Sequence, residues 1–414
     1  MQKPVETADI VIAGGCMVGA SLAVALSRLP LNISLVEAAP ADVIHQAGYD
    51  DRAIALSYGS SQILQGMGIW PEVVTEANPI NSIHVSDRGH FGATRLSAAQ
   101  QKVPALGYLI EAQAYQRVLN QFLSSSSVQL IQPAQISELT VSDKHVIASV
   151  VANHGEPIKV HSQLLIACDG GGSAVRQMAG VPAKSHDYKQ VAIVANVTTE
   201  EVHNNRAFER FTEQGPIALL PMSGNRCSLV WTLNSDNYQT VLELSDQDFL
   251  DALGDAFGYR LGRFARVGRR GSFPLFLTQS EQLTAPRMAI IGNAAHSLHP
   301  VAGQGLNLAL RDIADLAECI ATALEGGDDI GAQSTLSSYA KMREKDTANT
   351  IRFTDSLVKL FSNDQFLLGH VRAAGLSAVD RILPLRGLLA KQSMGLVNRQ
   401  SRLAQGLPLV TEQR

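Results

Sequence analysis

Cysteine is scarce and scattered. Cys16, Cys168, Cys227 and Cys319 stand far apart, with no C-x-x-C among them. That spacing excludes a disulfide framework and a zinc knuckle, and it makes a reducing cytoplasm the expected compartment. A basic surplus is also missing. The net charge is −4 over 414 residues, so nothing draws the chain as a whole onto nucleic acid. No internal repeat or low-complexity block stands out, and residues 124–127 read as a loop. One segment could pass for a leader or a membrane span: residues 10–29, apolar and rich in small residues, with Gly15-x-x-x-Gly19 inside. A leader carries bases before its apolar run. Here Glu6 and Asp9 precede it, so the segment is read as folded chain.

What is present is a globular composition. Hydrophobic residues make up 45% and charged residues 17%, which suits a sizeable core. The length allows two or three domains at roughly 150 residues each. The most informative stretch is 288–312, M-A-I-I-G-N-A-A-H-S-L-H-P-V-A-G-Q-G-L-N-L-A-L-R-D. Its apolar start predicts a buried strand ended by Gly292. A loop with Pro300, Gly303 and Gly305 follows. Leu306, Leu310, Ile313, Ala317, Ile320 and Leu324 then recur at helical spacing, while Arg311, Asp312, Asp315 and Glu318 lie off that stripe. Glycines let a ligand approach the backbone. The first amide N–H groups of the helix have no intrahelical partner and carry the positive end of its dipole. An electron-rich ring would be stabilised there, with Gln304 and Asn307 adding hydrogen-bonding groups. His296 and His299 have metal-like spacing, but no adjacent acid or cysteine completes a ligand set, so no metal is expected.

The N-terminal region reads as a dinucleotide unit. Residues 9–13 form a first strand. Gly14, Gly15 and Gly19 make the turn into a helix with Leu22, Leu26 and Leu29. Residues 33–36 form a second strand, ending at Glu37, which is placed for a ribose hydroxyl. Cys16 occupies the position of the middle fingerprint glycine. Residues 50–57 predict a further helical segment. Residues 83–96 suggest strands joined at Arg88 and Gly89, and residues 108–123 a strand leading into a helix. Residues 191–233 alternate like antiparallel strands.

The 288–312 stretch resembles the C-terminal signature of flavoprotein aromatic hydroxylases, particularly the FAD-dependent ubiquinone-biosynthesis hydroxylases. Gly292, His296, Pro300, Gly303, Gln304, Gly305, Asn307 and Asp312 match it. Asn293 stands where most of that family has Asp, and Ala309 where Gly is usual. An Asn carbonyl can still accept a ribityl hydroxyl. Residues 50–56 resemble the family's D-x-R-x-x-x-L, which makes Arg52 a cofactor candidate. Arg117 fits an Arg-x-Leu whose Arg faces the cofactor. Residues 167–176 look like its A-D-G-x-x-S-x-V-R, which implies that a buried strand delivers Asp169 to the cofactor edge. The blocks 207–211 and 215–222 resemble the substrate sheet of the ubiquinone hydroxylases. Residues 81–90 look closest to the branch acting on 2-polyprenyl-6-methoxyphenol.

The resemblance implies an α/β protein. Its Rossmann-like FAD domain of the aromatic-hydroxylase type is expected at 1–75, 104–180 and 285–355. An inserted, mostly antiparallel substrate domain is expected at 76–103 and 181–284, and a C-terminal helical tail at 356–414. The FAD contacts expected are Gly14, Gly15, Gly19, Glu37, Arg52, Arg117, Asp169, Gly292, Asn293, Pro300, Gly303, Gln304, Gly305, Leu306 and Asn307. No catalytic base is nominated. The implied reaction is hydroxylation of a polyprenyl phenol with O2, using NADPH or NADH as transient co-substrate. Other readings stay open: hydroxylation at another ring position of the same pathway, flavin reduction of prenyl double bonds, or a non-catalytic FAD-bound scaffold. A halogenase is a weaker reading, because Trp70 and Trp231 are isolated and no W-x-W-x-I-P occurs.

Two basic regions remain. Arg260, Arg263, Arg266, Arg269 and Arg270 could form a solvated face or dock nicotinamide phosphates. Residues 357–414 hold Lys359, Arg372, Arg381, Arg386, Lys391, Arg399, Arg402 and Arg414 against Asp364, Asp380 and Glu412, a net +5. Apolar residues interleave with these bases: Leu360, Phe361, Phe366, Leu367, Leu368, Ile382, Leu383, Leu385, Leu388 and Leu389. The tail either packs on the FAD domain or docks on anionic lipid or partner enzymes. Helical patterns there are expected to break at Pro384 and Gly387. Peripheral contact with the inner face of the membrane is the corresponding expectation for location.

Overall fold

Apolar runs without alternation belong in a sheet covered on both faces, and that is where they lie. In the computed structural model, which describes residues 5–40, 52–89, 92–152, 155–361, 375, 378, 380–397 and 400–410, a six-stranded sheet forms the centre of one half. Its order is Thr284–Ala285, Met288–Ile290, Leu164–Ala167, Ile10–Ala13, Ile33–Val36 and Gln129–Ile131. The inner strands run parallel, with Ile10 opposite Ile33 and Leu164 opposite Ile10. Ile10 and Ile12 face a helical layer, and Val11 and Ala13 face a four-stranded sheet. The first helix, Met17–Leu26, packs on one face beside the long helix Gln304–Gly326, here called the site helix.

The segment after residue 52 departs from expectation. Ala53–Ser57 is a strand, antiparallel to Gly107–Glu111, and the helix starts only at Tyr58. The cap is Ser57, whose hydroxyl accepts the Ser60 N–H at 3.2 Å. An oxygen at that position satisfies an orphan amide of the first turn. Asp50 and Asp51, read as the opening of that helix, lie outside the described residues.

The second half is built on a large sheet. Its longest strand, Ala183–Thr199, pairs antiparallel with Arg226–Asn234 and with Gly271–Ser280. Gly215–Pro221 and Arg206–Thr212 continue it, and Ser82–Asp87 joins Arg206–Thr212 in parallel. Trp231, Phe208 and Leu229 pack one face against the helix Asp246–Phe257. The opposite face turns toward the six-stranded half. This α/β architecture, with an inserted mostly antiparallel sheet and C-terminal helices, is the expected fold class.

The residues off the apolar stripe of the site helix are not solvated. Asp312 and Asp315 are buried beneath a second long helix, Gln333–Phe361, here called the strap helix. Arg343 of the strap helix is 1% exposed and reaches Asp312, Asp315 and Asp346 at 2.7–2.9 Å. Arg311 pairs with Asp346 at 2.8 Å.

The break expected at Pro384 is met two residues earlier, where helical residues 380–381 end at the extended Ile382. The break expected at Gly387 is corrected, since the new tail helix, Leu383–Ser393, runs through it. Pro384 sits in its first turn, where no amide hydrogen is needed. Arg402 is tied to Glu318 and Glu325, so part of the tail is packed on the site helix. Phe366, Leu367, Leu368, Asp364, Arg372, Arg399, Glu412 and Arg414 lie outside the described residues. Among the described residues, no helix is long and apolar enough to cross a membrane.

Candidate active site

The strand Ile10–Ala13 ends at Gly14, where φ is +98° and an added Cβ would stand 2.7 Å from the Cys168 carbonyl oxygen. Only glycine fits there. A Cβ on Gly19 would lie 1.8 Å from the Gly14 carbonyl oxygen, so the first helix abuts the loop directly. Cys16 caps that helix at an ordinary φ of −67° and is exposed. A side chain is therefore tolerated where the fingerprint has glycine. Although the residue is exposed as a whole, the packing around its sulfur and the neighbouring Glu37 carboxylate push the Cys16 thiol up, which keeps it protonated. Glu37 accepts the Gly15 N–H at 2.5 Å and the Ala39 N–H at 2.7 Å. Arg117 is exposed and ion-paired with Glu76 at 3.3 Å. Its neighbour Gln116 is the residue that touches the loop, donating to the Gly15 carbonyl at 3.4 Å.

Asp169 follows the strand Leu164–Ala167 and accepts from the Ser173 hydroxyl and from the Val175 N–H at 3.1 Å. It braces the turn into the next helix. Gly292, at φ +61°, comes so close to the first helix that a Cβ would meet Val18 at 2.9 Å. Its N–H is held by Asp312 at 3.2 Å, and His296 lies 2.8 Å from the same carboxylate. Asn293 beside it is exposed. His299 turns elsewhere: its Nδ1 accepts the Val301 N–H, and its ring stacks edge-on with Tyr188. Burial lowers the His299 pKa to about 4, so it is neutral.

After Pro300 the chain makes two consecutive left-handed residues, Ala302 at φ +57° and Gly303 at φ +60°. For Ala302 that conformation costs roughly 1–2 kcal/mol. The turn delivers the N-terminus of the site helix, where the amides of Gln304, Gly305 and Leu306 lack intrahelical partners. A Cβ on Gly305 would meet nothing within 4 Å, so open space lies beyond it. Asn307 is a clamp. Its carbonyl accepts from the Ser57 N–H and the Ser60 hydroxyl, both at 2.7 Å. Its amide donates to the carbonyls of Ala55 and Gly303. Gln304 donates to the Ala302 carbonyl at 3.2 Å. Both side chains thus face protein: Gln304 braces the loop internally, and Asn307 fixes it to the strand Ala53–Ser57.

A cavity of about 510 Å³ opens from this loop to the inner face of the large sheet. Ile83, Val85, Ala207, Phe211, Leu220 and Val230 form the sheet wall. Phe353 and Leu357 of the strap helix and Leu389 of the tail helix close another side. Among the described lining residues the single ionisable one is Glu209. It lies in the block 207–211 that resembles the substrate sheet, and the resemblance assigns it no role. Alternation along Arg206–Thr212 puts Ala207, Glu209 and Phe211 on one face, a signal that becomes useful once that face is known to border the loop.

The basic run of residues 260–270 is divided. Arg260 contacts His84. Burial, then the surrounding arginines, lower the His84 pKa to about 4. Arg269 and Arg270 join Arg52, Asn196, Ser228 and Phe273 around a separate pocket of about 390 Å³. The Arg52 guanidinium lies 5.2 Å from the Phe273 ring centre. Arg270 is held by Asp246 and by the Leu244 carbonyl. Among the described residues, no cluster of three or more His, Cys, Asp or Glu is arranged to hold a metal.

Comparison with known proteins adds a family. A family model described as an FAD binding domain matches residues 7–354. The ubiquinone hydroxylase UbiL of Rhodospirillum rubrum is 35% identical over 408 residues, covering 98% of this chain and 94% of that protein. The 3-demethoxyubiquinol 3-hydroxylase of Escherichia coli is 30% identical over 394 residues, covering 94% of this chain and 99% of that protein. Among solved structures, p-nitrophenol 4-monooxygenase PnpA of Pseudomonas putida DLL-E4 superposes with a TM-score of 0.76 at 16% identity. The match covers 94% of this chain and 98% of that one, and it is a likeness of fold.

Proposed function

This chain belongs to the FAD-binding family that holds the ubiquinone-biosynthesis hydroxylases, and we propose that its substrate is a polyprenylated phenol, 2-polyprenyl-6-methoxyphenol by preference. It is an FAD-dependent monooxygenase. The balance is one phenol, one O2, one NAD(P)H and one proton in; one hydroxylated ring, one water and one NAD(P)+ out. FAD, when bound, supplies the electron storage and the oxygen chemistry. The chain supplies binding, orientation and exclusion of water.

The observation that carries this reading is the apolar cavity running from the 300–307 loop to the inner sheet face. The division of labour follows from its borders. Residues 1–75, 104–180 and 285–355 hold the cofactor. Gly14, Gly15, Gly19 and Glu37 take its adenosine and phosphate end, with Arg117 a neighbour on the flank. Asp169, Gly292 and Asn293 take the middle. Pro300, Gly303, Gln304, Gly305, Leu306 and Asn307 form the seat of the ring, where free amides stabilise negative charge on its reduced form. Arg52, Arg269 and Arg270 suit the phosphates of the passing nicotinamide dinucleotide. The sheet at 76–103 and 181–284 covers the phenol.

The prenyl chain needs an apolar exit. Leu389 lines the cavity, while Leu385 and Leu388 on the same helix and Ile382 just before it are exposed, Leu388 at 66%. Arg381 and Lys391 flank them in solvent. We assign this helix to an anionic bilayer surface, at the inner membrane face, where a polyprenyl phenol partitions; partner enzymes of the pathway are the other occupant it suits. Metabolite profiling of a deletion strain tests the reading. Accumulation of a prenyl-methoxyphenol supports it. Accumulation of a later, demethoxy quinol moves the enzyme to another ring position, and an unchanged profile removes it from the pathway.

A further inference from the structure

Among the described residues lining the cavity, one is an acid, Glu209. Glu209 lies mid-strand in Arg206–Thr212, paired with Ala218 on one side and Val85 on the other. Its face of the sheet is otherwise uncharged: Ala207, Phe211, Ala218, Val85 and Thr94 all border the same cavity. The groups packed around it carry no charge. Ala302 comes from the ring loop, and Phe353 and Leu357 come from the strap helix. Arg210 alternates to the opposite face, among Arg260, Arg88 and Asp87. Asp87 pairs in register with Phe211 at the end of the strand.

We propose that Glu209 is the base that accepts the phenol proton of the substrate, a role that rests on the hydroxylase reading above. Its carboxyl accepts the Ala302 N–H, and its Oε1 is shut off from water with no hydrogen-bond partner. A buried carboxyl oxygen without a donor is unfavourable unless a ligand brings one. A phenol O–H is such a donor. Glu209 lines the cavity and is only half-buried as a residue, so a modest turn of its carboxyl presents Oε1 to a phenol bound there. Ala302 precedes the amides that face the ring seat, so the acid stands where the phenol must meet the oxidising edge. The phenol O–H bond breaks, the proton moves to Glu209, and the electron pair stays on the phenol oxygen. From there it enriches the ring carbon that forms the new C–O bond. When the ring regains aromaticity by releasing its C–H proton, Glu209 returns its own proton to the phenol oxygen, and the overall balance is unchanged. Burial raises the Glu209 pKa to about 7, against only a weak opposing pull from the Ala302 N–H. A base poised there works at physiological pH.

The test uses the FAD-loaded enzyme, a short-chain 2-prenyl-6-methoxyphenol, and kcat measured from pH 5.5 to 9.5. The wild type should lose rate as pH falls through about 7 and stay flat above it. Glu209→Gln should keep its FAD but run about 10²-fold slower at pH 7.5, a usual share for a general base. It should lose the acid limb and regain rate about tenfold per pH unit toward the phenol's own pKa near 10. A ring-fluorinated, more acidic phenol should rescue it further. A merely structural role gives neither rescue. Glu209→Gln within twofold of wild type, with the same profile, overturns the proposal. Should the variant shed its flavin, the wild-type profile decides: an acid limb near 7 supports the proposal and a flat profile overturns it. A wild type that oxidises NADPH without ever hydroxylating the phenol removes the functional reading, and the proposal with it. A wild type that hydroxylates with a flat profile removes the proposal alone.

Discussion

Arg343→Met should loosen the ring loop by destroying the charge balance beneath it. The guanidinium is sealed from solvent and reaches three buried carboxylates: Asp312 at 2.7 Å, Asp315 at 2.9 Å and Asp346 at 2.8 Å. Methionine fills much of the volume but leaves those charges with partial compensation. Asp312 keeps His296, Asp346 keeps Arg311, and Asp315 keeps the Ser401 hydroxyl. Removing one partner from a buried ion pair costs about 3–5 kcal/mol. Asp312 gives a partial check on that figure. Burial alone would raise its pKa, but His296 and Arg343 outweigh burial and hold it at about 2, below the ordinary 3.8. That depression corresponds to roughly 2 kcal/mol. Because the folded pKa is lowered, this stabilisation is present above about pH 4 and is lost as pH falls through about 2. Without Arg343, burial gains the upper hand and the pKa rises. A proton can then replace the missing cation, so the penalty should be greatest at pH 8 and shrink toward pH 5.5. Urea titrations of both proteins at the two pH values, followed by circular dichroism and by flavin fluorescence, measure this. The flavin signal should change first, because Asp312 also holds the Gly292 N–H at the head of the loop. A loss under about 1 kcal/mol at pH 8, or a loss that grows as pH falls, would refute the reasoning behind the estimate.

Three further outcomes are expected. Gly305→Leu should abolish FAD binding while leaving the fold intact, since its side chain would occupy open space rather than packed core; full flavin occupancy by absorbance would show that the ring sits elsewhere. Glu209→Gln should melt later than wild type at pH 8 and alike at pH 5, because the raised acid pKa makes the folded state unfavourable as pH rises from about 4.5 through about 7. Discounted for water reaching the cavity, the gain is about 2 kcal/mol, and equal melting at both pH values would contradict the burial argument. Leu385→Glu with Leu388→Glu should keep FAD but cease to pellet with anionic vesicles, and wild-type pelleting should weaken as salt rises by about 1 kcal/mol per basic residue screened; undiminished pelleting of the double variant would clear the tail helix of that role.

Much of the fold could be read directly. The strands Ile10–Ala13, Leu164–Ala167 and Met288–Ile290 are short apolar runs, each closely followed by glycine, and such runs have few places to go besides a covered parallel sheet. The site helix announced itself by a stripe with a glycine loop before it. What escaped was information held between distant residues. Nothing near Asn307 says that it clamps Ser57, 250 residues earlier in the chain. That Asp312 and Asp315, off the apolar stripe of the site helix, are buried could not be read locally, because their partner Arg343 lies in a different helix. Asp50 and Asp51 suggested a helix start, while the actual cap was Ser57. Gly387 looked like a breaker, yet the tail helix continues through it, while the interruption falls at Ile382 just before Pro384. Glu209 stood in a recognised block, and its meaning depended on which face of the strand borders the ring loop.

The most direct measurement follows the oxygen. FAD-loaded protein, NADPH, a short-chain 2-prenyl-6-methoxyphenol and 18O2 are mixed, and the product is analysed by mass spectrometry alongside NADPH consumption. One 18O atom on the ring per NADPH oxidised, with an unaltered prenyl chain, is the predicted result. A prenyl chain that gains two hydrogens, or NADPH oxidation that yields only hydrogen peroxide with the phenol recovered unchanged, would contradict it.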